Sequence, residues 1–311
     1  MRHGRGHPEP AGRSVPSWLV KQWNSAFSRG VGYEAQPPGS FFETDRVRGY
    51  FIDFRAKTTS PSAAAPEKLF PAGLAQLALG FSERMLSGDA RAADEFQRVC
   101  ALLEEKAERR GEELRWRYDI SIPKYRLEPP LYSALAQAQI ASVFVRAYLL
   151  SGDPRNAETA LGAIRPLLDT SSDLVAETSD GIVLEESPSE PPSHILNGWI
   201  YALWGLWEVE VALKEPRAGQ MLATSMNCLR AKLSSYDVGW WTKYSLYPHL
   251  LVDLAKPFYH RLHVDQLEIL YRLTGFSDFA VTAHRWRGYD TALRRAAAVA
   301  QKALFVATRH A

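Results

Sequence analysis

Two stretches of the chain combine carboxyl, amide, imidazole and phenol groups at spacings that suit proton-transfer chemistry. In the first, Glu186 stands in a Pro-rich loop just before a segment on which His194 and Asn197 share one helical face. In the second, Tyr259 and His263 lie one helical turn apart on one face. Side chains of these types remove and return protons when they flank the same substrate atom. The alternative is that internal hydrogen bonds satisfy them within the folded chain.

Aromatic and basic residues alternate in the region ahead of these stretches. Residues 115–118 (RWRY) and 122–126 (IPKYR) interleave rings with cations, and residues 236–246 form a turn-like segment with clustered rings. Aromatic rings stack on sugar rings, while Arg and Lys bind carboxylates. The pattern therefore suits an anionic sugar chain. The alternative is a solvated loop whose rings lie on the neighbouring helices.

The pair His260 and His263 is the feature that could indicate a metal site. No cysteine or third histidine stands at ligand spacing around it. We therefore expect structural histidines and no bound metal.

The charge balance and the cysteine count exclude several classes of protein. The 311 residues include 37 Lys and Arg against 35 Asp and Glu, a formal net charge of +2, and 46% of them are hydrophobic. This is the composition of a globular protein. A dedicated nucleic-acid-binding protein needs a larger basic surplus, so no nucleic-acid partner is expected. Cys100 and Cys228 are too few for a disulfide framework.

Neither a secretion signal nor a membrane span is predicted. Residues 1–16 contain no apolar segment of the kind that a signal peptide requires. Residues 195–213 are the most apolar stretch, but Asn197, Glu208 and Glu210 interrupt it, which predicts a buried core helix. We therefore expect a cytoplasmic protein without a transmembrane helix.

The elements that must position these groups fall into three regions. We predict a disordered tail at residues 1–16, an N-terminal arm with a short strand or hairpin at 17–66, and a helical domain at 67–311. The alternation of residues 49–55 predicts a strand within the arm. Apolar residues at three- and four-residue spacings predict helices over residues 70–86, 90–110, 132–150, 154–168, 193–214, 217–233, 259–274 and 277–307.

The distribution of loops favours one helical architecture. Helix pairs with short turns on one side and long polar loops on the other predict a mainly α fold, an α/α toroid built as an incomplete barrel of helix pairs. A tetratricopeptide-like array is the competing interpretation, but no repeat of fixed period is present. The sequence contains no pattern of a dinucleotide-binding unit, a phosphate-binding loop or a CxxC metal site.

Four ordered motifs give the chain a recognisable pattern. They are residues 131–139 (LYSALAQAQ), 194–199 (HILNGW), 233–237 (LSSYD) and 259–267 (YHRLHVDQL). With them the chain resembles the C-terminal catalytic domain of the D-glucuronyl C5-epimerases, which convert D-glucuronate to L-iduronate in heparosan-type polysaccharides. The resemblance spans about residues 50–290 and is carried by the order of the motifs, since each motif alone is weak.

The resemblance implies a helical toroid with catalytic residues in a cleft among its loops. It implies catalytic roles for Glu186, Tyr244 and Tyr259. The expected substrate-binding residues are Lys124, Tyr132, Gln139, Asn197 and His260. The implied partner is an anionic polysaccharide or oligosaccharide that contains uronate, no cofactor is implied, and relatives suggest a homodimer.

This chain departs from the family pattern at two places. Many relatives have a tyrosine directly after the loop glutamate, where this chain has Ser187. The loop after Tyr244 is also shorter than in animal members, and an arginine expected there is absent near Tyr247 and Pro248.

The residue types suit inversion at C5 of a uronate. That reaction removes the proton next to the carboxylate and returns one from the opposite face, so two acid/base groups must flank the ring. Extra negative charge develops on the carboxylate, and Asn197, His260 or Lys124 are candidates to neutralise it. Three alternatives remain: a uronate lyase, which begins with the same proton removal, a non-catalytic glycan-binding relative, and a helical scaffold for protein partners.

Overall fold

The computed structural model describes residues 35–36, 42–43 and 46–308. The tail predicted at residues 1–16 and the first part of the predicted arm lie outside these ranges. In the described part the helices are α1 (Pro71–Leu86), α2 (Ala92–Glu105), α3 (Ala134–Ser151), α4 (Pro154–Ile164), α5 (Leu196–Leu213), α6 (Pro216–Lys232), α7 (Pro257–Thr274), α8 (Ser277–Arg287) and α9 (Ala292–Ala307). The strands are β1 (Phe42–Glu43), β2 (Arg46–Val47), β3 (Ala107–Arg110), β4 (Glu113–Trp116), β5 (Val175–Thr178) and β6 (Gly181–Leu184). They pair only as antiparallel hairpins, β1 with β2, β3 with β4, and β5 with β6.

The helices form two layers around a ring. Helices α1, α3, α5 and α7 pack side by side in that order, and each is followed by an outer helix that packs back onto it. The inner helix α3 is covered on both sides and is buried without interruption from Ala134 to Ala147. The outer helix α2 buries only one face, with Ala92, Phe96, Val99 and Leu103. This arrangement confirms the predicted mainly α fold and the α/α toroid.

The segment before α1 closes the ring between α1 and α7. Gln36 donates from its side chain to Glu83 of α1 at 3.2 Å, and its carbonyl accepts from Arg272 of α7 at 3.3 Å. The prediction of a strand over residues 49–55 is wrong, because Ile52 makes only an isolated bridge with Ala35. The aromatic rings of this segment are buried instead. The Phe51 ring stacks on Trp204 of α5, with 4.5 Å between the ring centroids.

Three predicted helix boundaries are also wrong. The helix predicted over residues 90–110 ends at Glu105, since residues 107–110 pair with β4 across a turn at Gly111, whose φ is +64°. The helix predicted over residues 277–307 is divided into α8 and α9. The helix predicted from residue 193 begins at Leu196, because the Ser193 hydroxyl bonds to Glu185 and to the Ser187 carbonyl instead of capping the helix.

Among the described residues, α3 alone is long and apolar enough to cross a membrane by length and composition. Of its most apolar stretch, 78% is buried inside the protein. That degree of burial is typical of a core helix, and residues 195–213, predicted as such, form the neighbouring inner helix α5.

The contact between α3 and α5 depends on a glycine. A Cβ atom at Gly205 would lie 2.6 Å from the Ala138 Cβ and 2.8 Å from its Cα, so the two helix backbones approach as closely as they can. Gly205→Ala should therefore destabilise the protein by about 1–3 kcal/mol through overpacking. The measurement is the free energy of unfolding in urea.

The matched control is the same substitution in α1. A Cβ atom at Gly73 would meet Leu69 at an ordinary 3.6 Å. Gly73→Ala should raise the unfolding free energy by roughly 0.5–1 kcal/mol, because alanine costs less backbone entropy in a helix. Equal effects of the two substitutions would contradict the close packing at Gly205.

Candidate active site

A cleft of about 510 Å³ opens where the N-terminal ends of the inner helices meet. Each inner helix contributes from its first turns: Gln76 from α1, Leu135 from α3, Asn197 from α5 and Tyr259 from α7. The N-terminal end of a helix carries a partial positive charge and favours anions. Four such ends around one cleft therefore make it suited to a negatively charged ligand.

Glu186 enters this cleft from the loop that connects hairpin β5–β6 to helix α5. Its side chain lies against α5 at Gly198, where a Cβ atom would stand 2.5 Å from the Glu186 Cβ and 2.8 Å from its Cδ. The Asn197 side-chain amide approaches the Glu186 Oε2 at 3.5 Å. Burial raises the pKa of Glu186 to about 7, with the Lys124 ammonium opposing this and the Glu185 carboxylate adding to it. Near neutral pH this carboxyl is therefore able both to accept and to donate a proton.

The adjacent Glu185 has an unrelated task. Its carboxylate accepts from the Ser193 hydroxyl at 2.7 Å and from the His194 backbone amide at 3.0 Å, and it contacts the His194 ring. These bonds fix the path of the loop into α5. Because neighbouring residues of an extended chain project to opposite sides, anchoring Glu185 directs Glu186 into the cleft.

Tyr259 and Tyr244 form a pair of phenols near this carboxyl. Their ring centroids are 4.9 Å apart in an edge-to-face arrangement, and the Tyr244 side chain partly offsets the rise in the pKa of Tyr259. Burial, together with the nearby Glu186 charge, raises the pKa of Tyr259 to about 12 and that of Tyr244 above its usual value. Tyr259 lines the cleft and Tyr244 lies behind it. Both phenols therefore keep their protons at neutral pH and are able to donate them.

Lys124 is close to Tyr244 but is not on the wall of the cleft. Its Nζ lies 4.3 Å from the centroid of the Tyr244 ring and 3.5 Å from the Oδ2 of the buried Asp253. Lys302 of α9 also pairs with Asp253 and lies 5.4 Å from the Tyr244 ring centroid. The Tyr244 amide donates to the Asp253 carbonyl at 2.7 Å. Lys124 thus packs against Tyr244 behind the cleft and does not line the surface that a substrate would touch.

The other predicted binding residues are divided between the wall and the interior. Tyr132 lines the cleft, with its hydroxyl donating to Glu108 at 2.6 Å and accepting from Arg110 at 2.7 Å. Asn197 lines it beside Glu186. Gln139 is fully buried and accepts from the side chain of Gln76 at 3.1 Å, so it contributes through Gln76.

His260 is a correction to the predicted site. It is fully buried and stacks at 3.8 Å on Trp241, on the side of α7 that faces away from the cleft. One ring nitrogen pairs with the Thr242 hydroxyl at 2.9 Å and the other with the Trp286 carbonyl at 3.0 Å. Burial lowers its pKa to about 4, so the ring is neutral. Both nitrogens are occupied, and His260 has no atom left for a substrate.

Sequence reasoning missed several side chains of the wall. Lys57, Gln76, Tyr118, Lys256 and Phe258 all line the cleft. Tyr118 belongs to the aromatic and basic region at residues 115–126, and Phe258 directly precedes the predicted catalytic residue Tyr259. Their positions in the sequence could therefore have indicated both as residues of the site. Lys57 lies within the resemblance, which begins near residue 50, but no role is predicted for it, and Lys256 stands in none of the four motifs. Ser187 is also part of the wall.

The fold and this cleft define an α/α-toroid protein with acid/base groups at an anion-favouring site. The family described as "D-glucuronyl C5-epimerase C-terminus" matches residues 110–288, and this chain belongs to that family. The D-glucuronyl C5-epimerase of Caenorhabditis elegans is 30% identical over 181 residues, which cover 52% of this chain and 29% of that protein. The match therefore spans less than a third of the relative.

A solved structure supports the fold. The cellobiose 2-epimerase from Spirochaeta thermophila aligns with a TM-score of 0.53 and 15% identity over 70% of this chain and 57% of that chain. At this identity the likeness concerns the architecture. It agrees with the ring of inner and outer helices described above.

The electrostatic balance at Glu186 is testable. Lys124 lowers the pKa of this carboxyl, so Lys124→Met should raise the midpoint of its titration by roughly one pH unit. The carboxyl carbon of Glu186 in protein labelled with ¹³C-glutamate reports that midpoint by NMR, and Glu186→Gln identifies its signal. Lys68→Met, which removes an equal charge from an exposed site, is the control. A midpoint near 4.5 in the unchanged protein would contradict the burial of Glu186.

Proposed function

We propose that this chain is a uronate C5-epimerase that converts D-glucuronate to L-iduronate residues in a heparosan-like polysaccharide. The observation that carries the proposal is the presence, in one cleft, of a carboxyl with a pKa of about 7 and a phenol that keeps its proton. Family membership supports the reaction type, and the described cleft supports an anionic sugar as substrate.

The two groups have complementary proton affinities. The ionised form of Glu186 removes the C5 proton of glucuronate on one face of the ring, since its raised pKa makes it a stronger base than an ordinary carboxylate. Tyr259, neutral at this pH, donates a proton to C5 from the opposite face. Tyr244, whose ring lies edge-to-face against that of Tyr259, assists this proton transfer. For the reverse reaction the same groups exchange roles.

The remaining wall suits a pyranose chain. The rings of Tyr118, Tyr132 and Phe258 offer faces on which sugar rings stack, and Lys57 and Lys256 bring positive charge to the same cleft. Asn197 holds the Glu186 carboxyl and is placed to orient it rather than to bind the sugar. Of the predicted substrate-binding residues, the proposal therefore keeps Tyr132 on the wall. It differs from the prediction at Lys124, Gln139, Asn197 and His260.

The proposal predicts that solvent deuterium enters C5 of glucuronate in heparosan and that both acid/base residues are needed. Tyr259→Phe and Glu186→Gln should each slow this exchange by about 10²- to 10⁴-fold, the usual contribution of a general acid or base. NMR of the polysaccharide after incubation in heavy water measures the rate. Tyr271→Phe, an exposed tyrosine on the same helix, is the matched control and should exchange at the unchanged rate.

The same incubation separates the alternatives. A lyase would create a carbon–carbon double bond, and ultraviolet absorbance of the products would rise. A non-catalytic glycan-binding protein would bind heparosan with no exchange at C5. Either result, or exchange at the unchanged rate in Tyr259→Phe, contradicts the proposed reaction.

A further inference from the structure

We propose that Lys57 binds the reacting carboxylate of the uronate and neutralises the charge that develops on it when the C5 proton leaves. The inference rests on the proposed function and assigns to it a residue outside the region that matches the family, residues 110–288. Of the three residues predicted for this task, Asn197 holds the Glu186 carboxyl, Lys124 lies behind Tyr244 and His260 faces the core. Lys57 lines the cleft and carries a positive charge.

The position of Lys57 is fixed by the packing of the arm on α1. Lys57 belongs to a short 3-10 helix, Arg55–Thr59, that follows Phe54. At Gly80 of α1 a Cβ atom would stand 2.5 Å from the Phe54 carbonyl oxygen, so the arm backbone lies directly on the helix there. The Lys57 Nζ then lies 5.7 Å from the centroid of the Phe54 ring. The base of the side chain is therefore held by backbone contacts.

Two side-chain amides, those of Gln76 and Gln139, orient the ammonium group. The Lys57 Nζ donates to the side-chain oxygen of Gln76, whose side-chain nitrogen donates to Gln139 at 3.1 Å. Gln139 is itself fully buried in α3. Because Gln139 takes the nitrogen end of the Gln76 amide, the oxygen end must face Lys57. Gln139 therefore contributes to the orientation of Lys57 although it does not reach the cleft.

The geometry of the reaction favours Lys57 over Lys256. The acid and the base must flank C5, so the carboxylate on C5 must project toward a wall that carries neither of them. Lys256 stands at the start of α7, on the same wall as Tyr259. Glu186 comes from the loop before α5. Lys57 lies in the arm beside α1, on a wall that carries neither Tyr259 nor Glu186. A carboxylate that projects toward this wall would meet the Lys57 ammonium.

The charge balance of the step requires such a cation. When Glu186 takes the C5 proton, the electron pair of the broken C–H bond forms a C5=C6 double bond, and the carboxylate becomes an enediolate with two negative oxygens. The Lys57 ammonium donates hydrogen bonds to that dianion. When Tyr259 returns a proton to C5, the pair moves back and the carboxylate re-forms. An interaction that strengthens as this charge develops accelerates the reaction.

The electrostatic surroundings make Lys57 responsive to an anion. Burial lowers its pKa to about 8, which a bound carboxylate would reverse. The ionisable groups of the arm, of α1 and of the facing cleft walls are Asp53, Arg55, Glu83, Arg84, Tyr118, Tyr132, Glu186, Lys256 and Tyr259. Burial raises the pKa of Tyr118 and Tyr259, so these phenols stay neutral through the range in which Lys57 titrates. Glu186 titrates just below that range.

The test compares Lys57→Met and Lys57→Arg with Lys68→Met, which removes a charge from an exposed position shortly after the same arm. The probes are a heparosan hexasaccharide and the same hexasaccharide with its carboxyl groups reduced to alcohols. Calorimetry should show that Lys57→Met binds the carboxylate form about 10- to 100-fold more weakly than the unchanged protein does, because a charged hydrogen bond is lost. The two proteins should bind the reduced form with equal affinity. Lys57→Met should also lower the rate of C5 exchange at saturation.

The pH dependence of binding provides a readout that a structural role would not move. The unchanged protein should lose affinity for the hexasaccharide by about tenfold per pH unit well above pH 8, where Lys57 is neutral. In Lys57→Arg this loss should disappear, because the guanidinium stays charged, while the loss caused by Glu186 ionisation near pH 7 remains. Thermal unfolding of each variant checks that the fold is retained.

The outcomes separate this inference from the proposed function. Equal binding and exchange by the unchanged protein and Lys57→Met would overturn the role of Lys57 and leave the proposed function standing. Lys256→Met is tested in the same way, and a loss of affinity in this variant only would also overturn the role of Lys57. A loss of affinity above pH 8 that persists in Lys57→Arg would overturn it as well. Carboxylate-dependent binding through Lys57 with no C5 exchange in the unchanged protein would uphold the binding role and contradict the epimerase.

Discussion

The placement of the Glu186 carboxyl against the backbone of α5 is the constraint on which the rest of the site depends. Only glycine at position 198 leaves room for it, and the burial that results raises its pKa to about 7. An exposed carboxylate would be fully ionised, strongly hydrated and a weak base. The same exclusion of water keeps the proton on Tyr259. One cleft thus holds a proton acceptor and a proton donor at the same pH, which is what inversion at a carbon next to a carboxylate requires.

The toroid provides the electrostatic and dry surroundings that Glu186 and Tyr259 need. Its inner helices turn their N-terminal ends toward the cleft, where an anion is favoured, and its outer helices keep the inner ring free of water. Short hairpins and loops then deliver the reacting groups. The clearest case is the pair Glu185 and Glu186. The Glu185 carboxylate accepts the hydrogen bonds that hold the loop, and Glu186 is thereby directed into the cleft.

Local pattern predicts the helices and the order of the site motifs, because helical periodicity and turn residues are properties of neighbouring positions. It fails where the outcome depends on contacts between distant segments. Residues 49–55 alternate like a strand, but Tyr50, Phe51 and Phe54 are all buried, so the alternation does not correspond to one buried and one exposed face of a sheet. His260 shares a helix with Tyr259, and only the packing of α7 on α8 decides which of them faces the cleft. Lys57 reaches the cleft through the contact of Phe54 with Gly80, which no motif announces.

The most direct test of the central claim is a crystal structure of Glu186→Gln with a bound heparosan hexasaccharide. The account predicts that one glucuronate lies in the cleft with its C5 about 3–3.5 Å from both the side-chain amide introduced at position 186 and the Tyr259 hydroxyl, the separation of groups poised to react. The two must stand on opposite faces of the sugar ring. A sugar bound with both groups on one face, or with C5 beyond the reach of either, would contradict the proposed proton transfer.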